Sequence, residues 1–370
     1  MILNLTVLPG DGIGPEVTEQ AVLVLQVVVE AFGHQLQLHR KHIGGTALAA
    51  VNDPLPADTV QACLASSAVL LGAVGSPAFD HYPNHLRPEA GLLRIRRELG
   101  AYANLRPAVC FPALESISPL RAEIVHGADI MIVRELLGGL YFGDPRSIEG
   151  AAGARVATNT MRYDEPAIER IARVAFELAG KRRQKVLSVD KANVLECSRL
   201  WREVVTRVAQ DYPGVKLSHQ YVDSAAMLLV QRPKDFDVIL TENMFGDILS
   251  DQAGGVMGSL GLLASASIGG AVGLYEPVHG SAPDIAGKGI ANPLGAILSV
   301  AMMLRHSFQL EREAGCIESA VSVVLDRGYR TADLVSAGET PVSTSEMGRQ
   351  VVQTVKESAA SSLAAKKESA

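Results

Sequence analysis

The sequence predicts an α/β fold with two domains, and three observations lead to this prediction. Strand-like apolar runs alternate with helical patterns along the chain. The chain has 370 residues, whereas a single hydrophobic core stops growing at roughly 250–300 residues. Its 34 glycines and 18 prolines are spread out, as in α/β proteins with many tight turns.

The predicted elements alternate from the first residues onward. A strand at 3–8 ends in the loop 9–14, and Pro15 suits the first turn of a helix that runs to about residue 32. Short apolar runs predict further strands at 35–43, 68–74, 129–133, 186–189, 216–222 and 238–240. Helical periodicity predicts helices at 56–65, 293–306 and 315–327. The glycine-dense stretch 254–273 is compatible with a hinge, a loop beside a substrate, or close helix packing.

Composition argues against several functional classes. With a net charge of −6 and no basic stripe, the chain is not expected to bind nucleic acid. Its apolar stretches are too short for a membrane helix, so no membrane association is expected. The four cysteines, at 63, 110, 197 and 316, lack the spacing of a zinc site or a redox pair. Reduced thiols in the cytoplasm are the resulting prediction.

The glycine loop after the first strand fits the dinucleotide-binding fingerprint poorly. That fingerprint needs G-x-G-x-x-G, with an acidic residue about twenty positions further on at a strand end. Here Gly14 comes one position early, Pro15 occupies the first helical position, and Glu30 lies inside the first helix. A structural turn is therefore the prediction for this loop, which does not by itself support cofactor binding.

Three aspartates indicate a metal site. Asp247 and Asp251 are four residues apart on a predicted helix, so their carboxylates share one face. Asp223 follows the strand 216–222 and opens the next helix, where capping is the alternative role. Solvated helix aspartates are the alternative for the other two. The three together favour a hard cation with oxygen ligands, such as Mg²⁺ or Mn²⁺.

Several arginines indicate an anionic substrate. Arg96 lies on a predicted helix, Arg106 follows in Asn104-Leu-Arg-Pro107, and Arg134 ends the strand 129–133. Open α/β sheets bind ligands beyond the carboxyl ends of their strands, and guanidinium groups pair with carboxylates in a bidentate way. For any one of these arginines, a surface ion pair is the alternative.

Tyr141 and Lys191 are candidate proton-transfer groups. Tyr141 lies in a glycine-rich turn, and Lys191 comes just after the strand 186–189. A lysine beside a bound cation is pushed towards its neutral form, so it can accept a proton, and a tyrosine can return one. Each residue alone also fits an ordinary structural role.

The segment 276–293 is a long loop of small residues and prolines, as expected of a loop that wraps a ligand. An aspartate facing a ribose accepts hydrogen bonds from its hydroxyls and repels a 2′-phosphate. Asp284 is the candidate for this contact, which favours NAD over NADP.

Together these segments resemble the β-decarboxylating dehydrogenase family, whose members act on isopropylmalate, isocitrate, homoisocitrate or tartrate. Motifs match in the same order along nearly the whole chain, at 10–16, 104–107, 133–143, 189–193, 245–251 and 279–292. The resemblance implies two α/β domains that share a long mixed sheet, rather than a dinucleotide-binding Rossmann fold. It places the NAD-binding domain at 1–101 with 258–370, and a domain with the dimer interface and arm at 102–257.

The resemblance also implies a homodimer and a role for individual residues. Lys191 would reach into the partner subunit's site and accept the proton of the substrate hydroxyl as hydride passes to NAD⁺, and Tyr141 would protonate C3 after CO₂ leaves. The cation would be bound by Asp247 and Asp251 together with Asp223 of the partner subunit, which would also approach the substrate. The malate carboxylates would be bound by Arg96, Arg106 and Arg134. The residues implied for cofactor binding are Gly75, His279, Gly280, Ser281, Ala282, Asp284, Ile285 and Asn292.

The helix that carries Arg96 indicates which substrate is bound. Isocitrate enzymes of this family place serine and asparagine where Ala90 and Leu92 stand. A third carboxylate beside Leu92 would be buried without a partner, and Glu89 would repel it. An isopropyl group there would instead gain roughly 1.5–3 kcal/mol from burial. The prediction is therefore oxidative decarboxylation of (2R,3S)-3-isopropylmalate to 4-methyl-2-oxopentanoate, in leucine biosynthesis.

Two alternatives remain open. A D-malate or tartrate dehydrogenase of the same family would share the metal and NAD motifs. A non-catalytic regulatory subunit would not need Tyr141, Lys191 and the three aspartates, so their presence argues against it. The segment 143–160 is rich in glycine and alanine where the family has its dimer arm. Whether it pairs between subunits is left open.

Overall fold

The computed structural model describes residues 1–336 and 338–368, with side chains up to residue 358. Its strands are β1 (Ile2–Gly10), β2 (Gln35–Arg40), β3 (Ala68–Ala73), β4 (Ala103–Val109), β5 (Asp129–Glu135), β6 (Ser147–Glu149), β7 (Val156–Thr158), β8 (Lys185–Asp190), β9 (Lys216–Tyr221), β10 (Val238–Thr241), β11 (Ala264–Ile268) and β12 (Gly273–Pro277). Its α-helices are α1 (Gly14–Ala31), α2 (Gly45–Val51), α3 (Ala57–Leu64), α4 (Pro88–Glu98), α5 (Ala122–Val125), α6 (Glu165–Gly180), α7 (Glu196–Ala209), α8 (Val222–Gln231), α9 (Asn243–Met257), α10 (Leu294–Phe308), α11 (Glu311–Asp326) and α12 (Thr344–Glu368).

The chain divides into two compact units. The first comprises residues 1–101, 111–119 and 258–370, and the second comprises 102–110 and 120–257. The boundaries implied by the family resemblance differ from these in the segment 111–119, which falls with the first unit.

In the first unit, the strands lie in the order β2-β1-β3-β12-β11. β1 pairs in parallel with β2 and β3, β3 pairs in parallel with β12, and β12 pairs antiparallel with β11. β3 is buried along its whole length, as expected of a strand covered on both faces. Helices α1, α10, α11 and α12 pack together on this unit.

In the second unit, the strands lie in the order β4-β5-β10-β8-β9. β4 pairs antiparallel with β5, whereas β5, β10, β8 and β9 are parallel. The carboxyl ends of these parallel strands therefore lie at one edge. Arg134 lies near the end of β5 at this edge, Lys191 follows β8, and α9 follows β10. β6 and β7 form a separate two-stranded hairpin. The predicted α/β class with mixed strand directions is confirmed.

The predicted strands and helices that are present in the structure differ from the predictions mainly in where they begin and end. β2 ends at Arg40 rather than at residue 43, and α11 begins at Glu311 rather than at 315. The glycine-dense stretch contains the buried strand β11, so it is not one continuous loop. A Cβ atom at Gly270 would lie 1.7 Å from the carbonyl oxygen of Leu99, so close backbone packing requires glycine there. Among the described helices, none is long and apolar enough to cross a membrane.

Candidate active site

The two aspartates of α9 lie within a cluster of arginines in the second unit. Nη1 of Arg106 lies 3.1 Å from Oδ1 of Asp247 and 3.4 Å from Oδ1 of Asp251. Nη1 of Arg134 lies 2.6 Å from the same oxygen of Asp247. One guanidinium thus reaches both carboxylates, which is possible only because they share a helix face. The repulsion between the two aspartates is offset by these arginines.

Burial affects Asp251 as well. Burial raises the pKa of Asp251 above its ordinary value, Arg106 opposes this rise, and the negative charge of Asp247 adds to it. Both carboxylates remain partly exposed, with 32% of the Asp247 side chain and 55% of the Asp251 side chain accessible. Two accessible carboxylates one turn apart fit a hard divalent cation.

Asp223 does not lie with the other two aspartates. In the part of the chain that the structure describes, no group of three or more His, Cys, Asp or Glu side chains is placed to hold a metal ion. Asp223 lies in the first turn of α8, where its Oδ1 accepts a hydrogen bond of 2.6 Å from Nζ of Lys191. Within one chain, only Asp247 and Asp251 of the three aspartates lie together among the described residues, whereas Asp223 pairs with Lys191.

Lys191 and Asp223 follow two neighbouring parallel strands, β8 and β9. The two side chains meet because the carboxyl ends of these strands lie side by side. The ion pair is accessible, since 28% of the Lys191 side chain and 67% of the Asp223 side chain are exposed. The hydrogen bond from Lys191 is the main cause of a lowered pKa for Asp223. An ion pair this accessible can exchange its contacts for those of a ligand at little cost.

Tyr141 joins the cluster on α9 directly. Its hydroxyl donates a hydrogen bond of 2.8 Å to Oδ2 of Asp247, and the guanidinium carbon of Arg134 lies 5.5 Å from its ring centre. Burial, followed by the hydrogen bond to Asp247, raises the pKa of Tyr141 to about 12. The phenol is therefore protonated at neutral pH and can act as a proton donor.

The guanidinium of Arg134 is held, on the edge opposite Asp247, by Asn243, a residue that was not among the candidates predicted from the sequence. Oδ1 of Asn243, the first residue of α9, accepts hydrogen bonds from Nε and Nη2 of Arg134, at 3.0 and 2.7 Å. The Arg134 side chain is only 1% exposed. A helix-opening asparagine is common enough that sequence alone gave no signal of this contact.

In the first unit, Arg96 forms a buried ion pair. Its Nη2 lies 2.7 Å from Oε1 of Glu276, and the two residues are 7% and 6% exposed. Nε of Arg96 is buried and has no hydrogen-bond partner among the described residues. An unpaired guanidinium N–H in a buried position fits a carboxylate ligand. Glu276 was noted in the sequence only as the start of a loop.

The remaining predicted substrate residues lie on α4. Leu92 is half-buried and packs against the apolar core of the first unit, so part of its surface is accessible. Glu89 is exposed, and its carboxylate lies near Gly75: a Cβ atom at Gly75 would be 3.3 Å from Oε1 of Glu89 and 3.1 Å from Oγ of Ser281. The structure thus brings together Glu89, Gly75 and Ser281, which the sequence analysis assigned to substrate and cofactor.

The glycine loop after β1 supports the loop 279–292. The N–H of Ile13 donates to the carbonyl of Ser281 at 2.8 Å, and a Cβ atom at Gly12 would lie 1.9 Å from that oxygen. The carboxylate of Glu16 accepts hydrogen bonds from the N–H groups of Gly287 and Gly289. The glycines are needed for close backbone approach. The loop is the structural turn that the sequence predicts, and it holds the predicted cofactor loop in place.

Within that loop, the predicted residues differ in their surroundings. Nε2 of His279 is buried without a hydrogen-bond partner among the described residues, and burial lowers the pKa of this histidine. Asp284 and Gly280 are exposed, whereas Ala282 and Ile285 are partly buried. A neutral imidazole nitrogen and an exposed carboxylate fit a ligand with ring nitrogens and hydroxyls. Asn292 accepts from the N–H of Leu294 and donates to Asp333, which forms a turn directly before α10.

Comparison with known proteins identifies the family. A sequence profile described as isocitrate/isopropylmalate dehydrogenase matches residues 4–351. The 3-isopropylmalate dehydrogenase of Oleidesulfovibrio alaskensis is 57% identical over 354 residues, covering 95% of this chain and 99% of that protein. The corresponding enzyme of Aquifex aeolicus is 54% identical over 350 residues, covering 95% of this chain and 96% of that protein.

A solved structure agrees with this result. The crystal structure of isocitrate dehydrogenase from Methylococcus capsulatus matches with a TM-score of 0.85 and 36% identity, covering 95% of this chain and 99% of that one. The chain belongs to the isocitrate/isopropylmalate dehydrogenase family. The resemblance inferred from the sequence motifs is thereby confirmed.

Proposed function

We propose that this chain catalyses the oxidative decarboxylation of 3-isopropylmalate to 4-methyl-2-oxopentanoate, with reduction of NAD⁺, in leucine biosynthesis. The observation that carries the proposal is the cluster on α9. A protonated Tyr141, two accessible aspartates and two buried arginines meet there within hydrogen-bonding distance. High identity to isopropylmalate dehydrogenases over nearly the full length supports the choice of reaction.

The buried guanidinium groups are suited to bind the carboxylates of a malate. Arg106 and Arg134 are 6% and 1% exposed, so their positive charge is little screened by water. Both contact Asp247, a carboxylate that a substrate carboxylate can replace. Arg96, with a buried Nε that lacks a partner in the described chain, is proposed as the third substrate arginine.

The chain's own residues are proposed to move two protons. Lys191 of the partner subunit accepts the proton of the substrate hydroxyl as the 2-oxo group forms, and Tyr141 delivers its proton to C3 after CO₂ has left. Asp247 and Asp251, with Asp223 of the partner subunit, are proposed to bind Mg²⁺ or Mn²⁺. When bound, the cation supplies a Lewis acid for the 2-oxo group, and NAD⁺ supplies the hydride acceptor.

The first unit is proposed to bind NAD. The proposed contacts come from Gly75 and from the loop His279–Ile285, which the glycine loop fixes through Ile13 and Ser281. Asp284 is exposed, so its carboxylate is free to meet a ribose and to repel a 2′-phosphate. Asn292 is proposed to act by shaping the end of this loop, since its amide already bonds to the first residue of α10.

A homodimer of the cytoplasm is the proposed form of the enzyme. Met227 and Val230 on α8 and Ile248 on α9 are 52%, 39% and 58% exposed, although the two helices pack on each other. Ile148 and Val156 of the hairpin β6–β7 are also exposed. Such apolar surface indicates a subunit interface. Within the described residues, none of the four cysteines forms a disulfide, in keeping with a reducing compartment.

The test of this proposal is NADH formation by the purified protein with 3-isopropylmalate, NAD⁺ and Mg²⁺. Isocitrate, D-malate and tartrate serve as parallel substrates, and NADP⁺ and EDTA as parallel conditions. We expect a strong preference for isopropylmalate, loss of activity with EDTA, and little activity with NADP⁺. A preference for D-malate or tartrate would overturn the substrate assignment. Inactivity of well-folded protein with every substrate would favour a regulatory subunit.

A further inference from the structure

We infer that the side chain of Asn243 is a positioning residue that aligns the proposed substrate-binding group Arg134 and the proposed proton donor Tyr141 with each other. This inference deepens the proposed function and rests on the roles given there to Arg134 and Tyr141. It is carried by the hydrogen bonds of one fully buried amide, which is 0% exposed.

The carbonyl side of the Asn243 amide fixes Arg134. Oδ1 accepts from both Nε and Nη2 of the guanidinium, at 3.0 and 2.7 Å. A guanidinium is planar, so two hydrogen bonds along one edge determine the direction of its third nitrogen. That nitrogen, Nη1, points to Asp247 at 2.6 Å. Asn243 therefore determines which face of Arg134 is presented to the cluster on α9.

The amino side of the same amide fixes the turn that leads to Tyr141. Nδ2 donates to the carbonyl oxygens of Leu136 and Gly138, both at 3.0 Å. Glu135 holds the N–H groups of the same turn, accepting from Leu137 at 3.1 Å and from Gly138 at 2.7 Å. The two carbonyl groups of this turn are held by hydrogen bonds from Asn243. Because Tyr141 comes only three residues after Gly138, the position of the turn determines where Tyr141 lies.

The orientation of this amide is set by its surroundings. Two donors face Oδ1 and two acceptors face Nδ2, so a flipped amide would place its NH₂ group against the guanidinium and its oxygen against two carbonyls. All the hydrogen-bonding capacity of the side chain is used. An aspartate of the same shape could satisfy Arg134 but not the two carbonyls, and a leucine could satisfy neither.

The main experiment compares Asn243→Asp, Asn243→Leu and the matched control Tyr163→Phe. The Tyr163 hydroxyl accepts a hydrogen bond of 3.0 Å from the backbone N–H of Asn243, so the control perturbs the same residue without changing its amide. Steady-state kinetics with 3-isopropylmalate give kcat and KM. Hydrogen–deuterium exchange of the peptide that covers 136–142 reports on the turn without any turnover. The fluorescence of Trp201, whose ring lies 5.5 Å from that of Tyr163, reports that the region is folded.

The two asparagine variants should differ in a defined way. For Asn243→Asp we expect kcat to fall roughly 10- to 100-fold, because a proton donor displaced by about 1 Å loses on this order of rate. For Asn243→Leu we expect KM to rise as well, by about tenfold or more over that of Asn243→Asp, because Arg134 also loses its acceptor. Exchange of the 136–142 peptide should accelerate at least about tenfold in both. The control should keep kcat within about threefold of the wild type.

Three results would overturn the inference. One is an unchanged kcat for Asn243→Asp, the second is unchanged exchange of the 136–142 peptide, and the third is an equal loss of kcat in Tyr163→Phe. A wild-type protein that does not oxidise isopropylmalate would contradict the proposed function instead. The exchange measurement would then still decide whether Asn243 holds the turn.

Discussion

Asp247 is the residue on which the groups of the second unit converge. One of its oxygens accepts a hydrogen bond from Arg134 and forms an ion pair with Arg106, and the other accepts from Tyr141. In the proposed function, Asp247 therefore links substrate binding, metal binding and proton donation, since each of its partners can exchange it for a ligand atom. Because these side chains share one carboxylate, the effects of single substitutions among them on activity are not additive.

At the same scale, Lys191→Met should nearly abolish turnover while the protein stays folded. The variant removes the proposed proton acceptor, a loss of roughly 10²- to 10⁴-fold in kcat. Folding should be little affected because Asp223, the partner of Lys191, is 67% exposed and remains hydrated. Lys216→Met, an exposed lysine at the start of β9, is the matched control. Turnover by Lys191→Met above a tenth of wild type would rule out its catalytic role.

At the scale of the element, α9 is the helix that organises the site. Asn243, Asp247 and Asp251 follow one another at intervals of four residues, so they form one row along the helix. Small rotations of α9 would therefore move the proposed metal ligands and the clamp on Arg134 together.

Asp251→Asn should raise the Mg²⁺ concentration needed for half-maximal activity by at least about tenfold, because a neutral amide is a weaker ligand than a carboxylate. Titration of EDTA-treated enzyme with Mg²⁺ measures this shift. Asp235→Asn, on an exposed turn, should leave the titration unchanged. An equal shift in both variants would mean that Asp251 acts through general charge and not as a ligand.

The helix α4 allows a test of substrate choice. Leu92→Ser should lower kcat/KM for isopropylmalate roughly 10- to 150-fold, since a lost apolar contact of about 1.5–3 kcal/mol corresponds to that factor. D-malate, which has no isopropyl group, should keep its kcat/KM within a few-fold. Leu64→Ser, at a residue that is 50% exposed on α3, controls for a general loss of stability. A parallel loss with both substrates would contradict an isopropyl contact.

The sequence predicted which candidate residues share a helix face or a sheet edge. It did not predict the contacts between residues that are distant along the chain. Helix periodicity places Asp247 and Asp251 on one face, and strand ends place Arg134 and Lys191 at one edge of the sheet. The contacts Arg134–Asn243 and Arg96–Glu276 join residues 109 and 180 positions apart, which only the topology brings together.

The strands that were missed have equally physical reasons. β4 contains Pro107, which weakens the strand signal, and it is stabilised by pairing with β5. β11 is an alternation of alanine and serine, whose low strand propensity is outweighed by pairing and burial.

At the scale of the whole molecule, the assignment of Lys191 to the partner's site predicts complementation between two inactive variants. In a dimer of one Lys191→Met chain and one Asp247→Asn chain, one site would combine an intact Asp247 with an intact Lys191 from the other chain. Random mixing yields heterodimers in about half of the molecules, each with one good site, so about a quarter of wild-type activity should return.

The mixing experiment has a direct control. The variants are unfolded and refolded together, and separately refolded samples are combined as the comparison. Recovery only in the co-refolded sample supports sites shared between subunits. No recovery, with dimers present by light scattering, would place Lys191 and Asp247 in the same chain's site.

The link between the glycine loop and the loop 279–292 has a consequence for protein engineering. Ile13 and Glu16 form hydrogen bonds with residues more than 260 positions further along the chain. The conformation of the loop 279–292 therefore depends on the glycine loop. A graft that exchanges 279–292 to change cofactor preference should therefore be transplanted together with 12–16 from the same donor. Designers who move the later loop alone would separate a ligand-binding surface from the scaffold that gives it its shape.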